Sequence, residues 1–357
     1  MSLSVNAAPV TPAIKSAQGK RIRTFILSGI LTLFVAWLVM LYLRPLYYNI
    51  NLSLSGPSSE AGQPDYPASA RTFTYQGQTL ELYNVPTKTG VQQLAMLEKT
   101  RTESTFIEPA TGQKVVWQGA WRSLERVWQF DPRWENYQKA AEQINFGRLF
   151  LNTLIVAGLG TLGTVVSSVF VAYGFARFRL PYKEVMIQVL MATVILPTQI
   201  TVVPQYIIFY KLGWVGTWLP LIVPLFFGSA FSIFLLRQFF MNIPRELDEA
   251  AMLDGASPLR TLISIIIPLS WPAIISVAIA QFILLWNDFY YSVLYLAGNT
   301  ELMTISPALL SFNSVYGASN PQFIAAASML ASLFPIGLFF LAQRPFMRAM
   351  MMPGLDK

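Results

Sequence analysis

Neither cysteine nor histidine occurs anywhere in the 357 residues. Their absence excludes the usual zinc sites, histidine-based triads and thiol nucleophiles, and no disulfide can staple any part of the chain. Charge is scarce as well: Asp, Glu, Lys and Arg together make up 12%, about half the share of an ordinary soluble domain. No Gly-rich loop ending in Gly-Lys-Ser/Thr is present, so the chain is not expected to hydrolyse ATP. What the sequence has in abundance is apolar residues, at 54% with a mean hydropathy of +0.47, the composition of a chain made for lipid.

Crossing a hydrocarbon layer of ~30 Å takes about 20 mostly apolar residues in a helix. Six stretches qualify: Phe25 to Tyr47, Leu149 to Phe175, Val185 to Tyr210, Thr217 to Leu236, Leu269 to Leu296 and Phe323 to Ala342. The expected fold class is an all-α polytopic membrane protein with six transmembrane helices. Its parts are an N-terminal tail (1–24), a first helix (25–48), an outer segment (49–147), a five-helix core (148–343) and a C-terminal tail (344–357). Lys20, Arg21 and Arg23 precede the first stretch as in a signal peptide. Its apolar run is too long, however, and no small-residue cleavage site follows promptly, which indicates a retained anchor.

Lys and Arg in short loops set orientation. The N-terminal tail (Lys15, Lys20, Arg21, Arg23), the second-to-third connection (Arg177, Arg179, Lys183), the loop at 242–268 with its flanks (Arg237, Arg245, Arg260) and the C-terminus (Arg344, Arg348, Lys357) are basic. Lys211 stands alone in one alternate loop, and 298–322 has neither Lys nor Arg. Both termini and the 242–268 loop are therefore expected on the cytoplasmic side of a prokaryotic inner membrane. The net charge of +7 follows this topology, because acidic and basic residues balance between Asn49 and Arg148. No basic stripe with interleaved aromatics occurs, so nucleic acid is not an expected partner.

The outer segment reads as a small α+β domain. Phe73 and Tyr75 alternate before Gln76-Gly77 and Leu80 and Leu82 after it, a hairpin signal, and a second hairpin is expected over Thr105 to Trp117 around Ala110-Thr111-Gly112. Val91, Leu94 and Ala95 suggest a short helix between them, and Gly56 to Pro67, rich in Ser, Pro and Gly, a flexible lead.

The 242–268 loop interrupts the apolar pattern with two short helices. Asn242 is a candidate cap and Pro244 suits a first turn, while Glu246 and Asp248 suit the positive helix end. Gly255 ends the first helix, Ser257-Pro258 opens the second, and Pro268 is expected to stop it. Leu247, Ala250 and Ala251 share a face flanked by Glu249, and two alanines let another backbone come close. Such a face suits docking into a partner's groove, or, as the plainer alternative, an amphipathic helix lying in the membrane interface.

Glu249-Ala250-Ala251, three residues, Gly255, nine residues and Ile265-Ile266-Ile267-Pro268 resemble the EAA loop of ATP-binding-cassette (ABC) importer permeases. In that family the loop is the cytoplasmic hook on which the ATPase is engaged. Only the family's Leu departs, to Ile267. The resemblance runs from about Trp134 to Arg348 and implies an ATPase-coupling set of Leu247, Glu249, Ala250, Ala251, Gly255, Ile265 and Pro268. Ile195-Leu196-Pro197 with Gln199, then Pro204 and Lys211-Leu212-Gly213, resembles the third-helix region of the maltose-type permeases of the carbohydrate subfamily. Trp286-Asn287-Asp288-Phe289 resembles their fifth-helix motif and Gln343-Arg344-Pro345-Phe346 their last helix end. The lead-in at Trp134-Glu135-Asn136-Tyr137 to Asn152-Thr153 is similar to that of sugar importers, which makes residues from about Gly62 to Trp128 an insertion. It faces either a substrate-delivering binding protein or the chain's permease partner. The C-terminus departs from the subfamily, ending Met352-Pro353-Gly354-Leu355-Asp356-Lys357 in place of a Gly-rich tail finishing Lys-Gly, which puts tail contact with the ATPases in doubt.

Candidates for a translocation path are the polar or helix-breaking residues at membrane depth. Pro197 and Pro204 free backbone carbonyls that lipid cannot satisfy. Gln199, Gln205, Gln281 and Asn287 could bond a hydroxylated solute or glue helices together. Asp288, acidic within an expected span, is either functional or bonds a neighbouring helix or backbone. Gly158, Gly160 and Gly163 spell Gly-x-Gly-x-x-Gly, but no strand precedes them, and close helix packing with Ser167, Ser168 and Ala172 explains them better than a dinucleotide.

These residues suit the permease subunit of an ATP-driven importer of carbohydrate, and polyamine or phosphate-ester importers share the loop. A secondary transporter would need coupling charges, and an intramembrane aspartyl protease two carboxylates, where only Asp288 is on offer. The expected partners are a pair of cytoplasmic ABC ATPases, a second permease subunit and an extracytoplasmic solute-binding protein. No cofactor or metal is expected on this chain, and ATP and Mg belong to the ATPases.

Overall fold

The computed structural model describes residues 12–56, 66–87, 90–100, 103–312 and 320–350. A single helix, α1 (Pro12–Ser53), carries the first apolar stretch past its expected end at 48. Strands β1 (Ala68–Ala70), β2 (Thr72–Tyr75), β3 (Gln78–Thr87), β4 (Gly90–Glu98), β5 (Glu103–Ile107), β6 (Lys114–Gln118), β7 (Glu125–Arg126) and β8 (Trp128–Phe130) follow. Then come α2 (Glu135–Gln143) and the long α3 (Phe146–Arg177).

The β domain is antiparallel, in the order β2-β3-β4-β5-β6 with β7 on β3, beside a β1-β8 ribbon. Gln76 (φ 49°) and Gly77 (φ 82°) both take positive φ, the requirement of a two-residue type I′ hairpin, and Tyr75 pairs with Gln78 across it. The second expected hairpin is also present, with Ile107 opposite Lys114. Between the hairpins the structure corrects the expectation of a helix: Val91, Leu94 and Ala95 lie in β4. Their spacing fits a helix face, but Leu94 and Met96 fill one side of the sheet with Tyr83, Val85 and Phe106, while Ala95 fills the other with Leu80 and Ile107. A strand buried on both faces reads as a continuous apolar run and shows no alternation. Each fully buried side chain there contributes roughly 1.5–3 kcal/mol. The flexible lead expected at 56–67 lies largely outside the described residues.

Beyond the domain, Asn136 Nδ2 donates to the carbonyls of Ser53 and Ser55, both at 2.9 Å, and the Arg133 N–H donates to Leu54 O at 2.8 Å. Ser53 Oγ and Tyr137 Oη lie 2.8 Å apart. These bonds tie α2 to the end of α1, which otherwise lies along the last helix.

The core holds α4 (Lys183–Ile195), α5 (Thr198–Lys211), α6 (Leu219–Ile222) with a 3-10 turn (Val223–Phe227), α7 (Ala230–Met241), α8 (Glu246–Leu253) and α9 (Pro258–Thr261). A π turn (Leu262–Ile266), α10 (Ile267–Leu269), α11 (Trp271–Trp286), α12 (Tyr290–Leu296), α13 (Ile305–Ala308) and α14 (Pro321–Met350) complete it. Among the described residues 4 helical segments are long and apolar enough to cross a membrane, and up to 6 if two bent pairs each count as one span. The pair α4/α5 turns by 95° at Leu196-Pro197, where the residue before a proline is driven out of the helical region. Pro258–Leu269 and Trp271–Trp286 meet at 80°. The second loop helix thus ends at Leu269, one residue past the Pro268 expected to stop it. Pro268 stands in the first turn of the short α10 that follows the π turn, and the break falls at Ser270.

Buried residues of α3, α7 and α11, including Val169, Tyr173, Leu236, Phe240 and Ile274, form one core, and Leu149, Phe282, Trp286, Ile305 and Ala331 another. Lipid tails are as apolar as these side chains, so van der Waals fit and polar bonds hold the helices together. The fit is visible at the glycines: a Cβ on Gly160 would meet Leu225 and Leu285 at 2.7 Å, and one on Gly163 would meet the Phe226 ring at 2.5 Å. Gly158 faces open space. The polar bonds include Asn152 Nδ2 to the carbonyls of Glu301 (2.8 Å) and Met303 (2.9 Å), and Ile305 N to Thr153 Oγ1 at 2.9 Å.

Candidate functional site

The segment from Asn242 to Pro268 is built as a turn between two helices whose ends are closed by their own residues. Gly255, at φ 76°, donates to Met252 O at 3.0 Å while Ala256 N reaches Ala251 O at 2.9 Å, the paired bonds of a Schellman motif. Ser257 Oγ accepts from Arg260 N, capping the next helix with Pro258 in its first turn. The start of α8 differs from expectation: Asn242 closes α7, and Arg245 stands at the cap without a side-chain bond. Glu246, Asp248 and Glu249 in the first turn still answer the positive helix end.

Leu247, Glu249 and Ala250 are exposed along with Met252 and Leu253, the last 89% exposed, whereas Ala251 is buried against the body of the chain. Gly255 is exposed, and a methyl added to it would meet nothing within 4 Å, so only its backbone angle demands glycine. Ile265 is half-buried within the π turn and Pro268 is exposed. Sequence reasoning missed the residue that seats this loop. Asp248, read only as a helix-end charge, is buried, and its Oδ2 lies 3.0 Å from Arg177 Nε at the end of α3. Arg177 Nη2 also donates to Ile243 O at 3.1 Å, and Tyr173 Oη donates to Pro258 O at 3.2 Å. Nothing in the sequence singles out Asp248 from Glu246 and Glu249 in the same turn, because its partner Arg177 lies in a distant segment.

The path candidates are not gathered into one cavity. Pro197, Gln199, Pro204 and Gln205 are exposed on the α4/α5 elbow and on α5. Asn287 is exposed and spends its Nδ2 on Ile283 O at 2.9 Å, and Gln281 is half-buried on α11. Asp288 lies in the break between α11 and α12, not within a span. Its Oδ2 accepts from Ser292 N (2.9 Å) and Ser292 Oγ (2.8 Å), so the carboxylate caps α12. Trp286 beside it donates Nε1 to Ala331 O at 3.2 Å and stacks on Phe334 at 5.0 Å, locking α11 to α14. A groove of about 530 Å³ between α3 and α11, lined by Gly158, Val165, Val169, Trp271, Ile274 and Phe282 among others, is almost wholly apolar and offers little to a hydroxylated solute.

Residues 165–349 match the family described as binding-protein-dependent transport system inner membrane component. The chain belongs to this family. It is an inner-membrane ABC transporter permease whose relatives serve sugar-type systems. The osmoprotective compounds uptake permease of Synechocystis is 30% identical to it over 238 residues, covering 66% of this chain and 78% of the relative. The alpha-glucoside transport system permease of Rhizobium meliloti is 29% identical over 226 residues (61% and 58%), and the sn-glycerol-3-phosphate transport system permease of Pectobacterium atrosepticum 31% over 205 (57% and 73%). A crystal structure of a bacterial ABC transporter involved in import of the acidic polysaccharide alginate shares the fold, with a TM-score of 0.62 at 16% identity, over 95% of this permease and 99% of that chain. The matched region of the family profile takes in the loop at 242–268, α11 and all but the last residue of α14, and leaves out the β domain.

Proposed function

We propose that this permease is one of two membrane subunits of an ATP-driven importer for a carbohydrate or closely related polyhydroxylated solute, coupled to its ATPases through the loop at 242–268. The observation that carries the reading is the exposed Leu247-Glu249-Ala250 face of α8, held on a preformed Gly255 turn and ready to seat in a partner's groove. In this reading Glu249 pairs with a donor on the ATPase, Gly255, Ile265 and Pro268 shape the loop, and both termini share its cytoplasmic side. Closure of the ATPase pair moves α8, and the spans swing a central path between outward-facing and inward-facing. The chain carries out no chemistry and binds no cofactor; ATP and Mg are held by the ATPases.

The solute passes between this subunit and a second permease, near the exposed Gln199 and Gln205. A phosphate ester is the second reading, favoured by the name of the Pectobacterium relative. The β domain between α1 and α2 stands on the extracytoplasmic side, where it meets the solute-binding protein. Asp288 spends its carboxylate on capping α12, which supports a structural role over a proton-coupled one.

Reconstitution of the permease with its partner permease, ATPases and binding protein tests this. Stimulated ATP hydrolysis is expected with an alpha-glucoside or an alginate oligosaccharide. Stimulation by putrescine alone, or by sn-glycerol 3-phosphate alone, would reassign the solute. Normal ATPase assembly after Glu249→Arg would remove the loop from coupling.

A further inference from the structure

We propose that Arg177 and Asp248 form the joint through which movement of α8 reaches α3, with Tyr173 as its second grip; this rests on the coupling role given above to the loop. Tyr173 and Arg177 are four residues apart and so lie on one face of α3. From that face they hold the loop at three places. Arg177 Nη2 donates to the backbone ahead of α8 at Ile243 O (3.1 Å), Tyr173 Oη donates to the backbone behind it at Pro258 O (3.2 Å), and between them Arg177 Nε lies in an ion pair with Asp248 Oδ2 at 3.0 Å, a contact of charges and not a hydrogen bond.

The pair is sheltered, with side-chain exposures of 7% for Arg177 and 12% for Asp248, and Tyr173 is 6% exposed. Withdrawal from water strengthens the attraction and makes separation of the charges costly. A force applied to the exposed side of α8 is therefore passed to α3 before the joint opens. The loop's turns are closed internally, by Gly255 and Ser257, so α8 and the start of α9 follow as a body. The α3 helix is the natural receiver because α7, α11 and α13 all lie against it. Arg177 and Asp248 are positioning residues: neither need touch solute or nucleotide.

Because the chain has no native cysteine, the purified permease can be spin-labelled at Leu151→Cys alone, an exposed site near the far end of α3, and then assembled, so that the label reports motion of that end. The experiment uses the full complex with its binding protein, trapped with ATP and vanadate. Wild type is expected to show a shift in label mobility on trapping. D248N and R177Q are expected to lose that shift with the ATPases still bound, with ATP-dependent uptake of an alpha-glucoside probe falling roughly tenfold, within the usual range of couplings between sites. D248E, which keeps the charge, is expected to retain the shift.

A D248N complex that moves and transports like wild type would overturn the joint. So would loss of ATPase binding in step with loss of movement, which would make the pair a folding contact. A wild-type complex whose ATPases do not bind the loop at all would overturn the coupling reading itself, and the joint with it.

Discussion

Gly158, Gly160 and Gly163 offer one substitution in three environments on a single helix. Alanine at 163 would place its methyl 2.5 Å from the Phe226 ring, where ordinary contact begins near 3.4 Å, so the ring or the 3-10 turn carrying it must shift by close to an ångström. Overpacking of this kind costs ~1–3 kcal/mol. Alanine at 160 meets Leu225 Cδ1 and Leu285 Cδ1 at 2.7 Å, but both are far ends of flexible side chains, which puts the cost near ~1 kcal/mol, at the lower end of the same range. Alanine at 158 meets nothing within 4 Å and gains up to ~1 kcal/mol of helix propensity, so it should be neutral or slightly stabilising. Thermal unfolding of the detergent-solubilised permease, followed by tryptophan fluorescence, should place Gly163→Ala lowest, Gly160→Ala close to wild type because the same propensity gain offsets its clash, and Gly158→Ala at or above wild type. Equal losses at 158 and 163 would refute packing as the reason for the glycines.

At Gly255 the demand is conformational, so Gly255→Ala should weaken the loop by about 1–2 kcal/mol, the cost of left-handed backbone; Gly255→Asn should cost less and Gly255→Val more. ATPase pull-down that ranked these by side-chain volume alone would contradict that. Asp288→Ala should cost about 1 kcal/mol of local stability through the lost α12 cap, and Asp288→Asn should transport normally. Abolished uptake by a well-folded Asp288→Asn chain would restore the charge to the mechanism. In the β domain, burial raises the Tyr83 hydroxyl above its ordinary value of 10.0, with Glu81 adding to the shift and Arg126 opposing it. The folded form thus holds this proton more tightly. Its contribution is complete below pH 10.0 and is lost as pH climbs through the raised value. Circular dichroism should show the domain weakening only in that alkaline range, and a Tyr83→Phe chain should lose the dependence.

The local punctuation of the chain was legible because it is chemical. Gly255 and Ser257-Pro258 end and begin helices as their side chains dictate, and Gln76-Gly77 forms its hairpin. Neighbourhood was not legible. Val91, Leu94 and Ala95 fit a helix face equally well, and only the pairing of β4 with β3 and β5 decides for a strand. The apolar run from Leu269 to Leu296 conceals two breaks, because Ser270 and Asn287-Asp288 hardly lower its hydropathy. Asp248 looked like surface because its partner Arg177 belongs to a distant segment, and ion pairs between separate helices leave no periodic trace. The tail ending at Lys357 lies outside the described residues.

The bond from Arg133 N to Leu54 O, with Asn136 reaching Ser53 and Ser55, brings the two ends of the β domain side by side at the tip of α1. The β1-β8 ribbon continues the same seam. Everything between those two ends therefore leaves and rejoins the helical body at one point, so a change of length within it need not alter the spacing of the helices beneath.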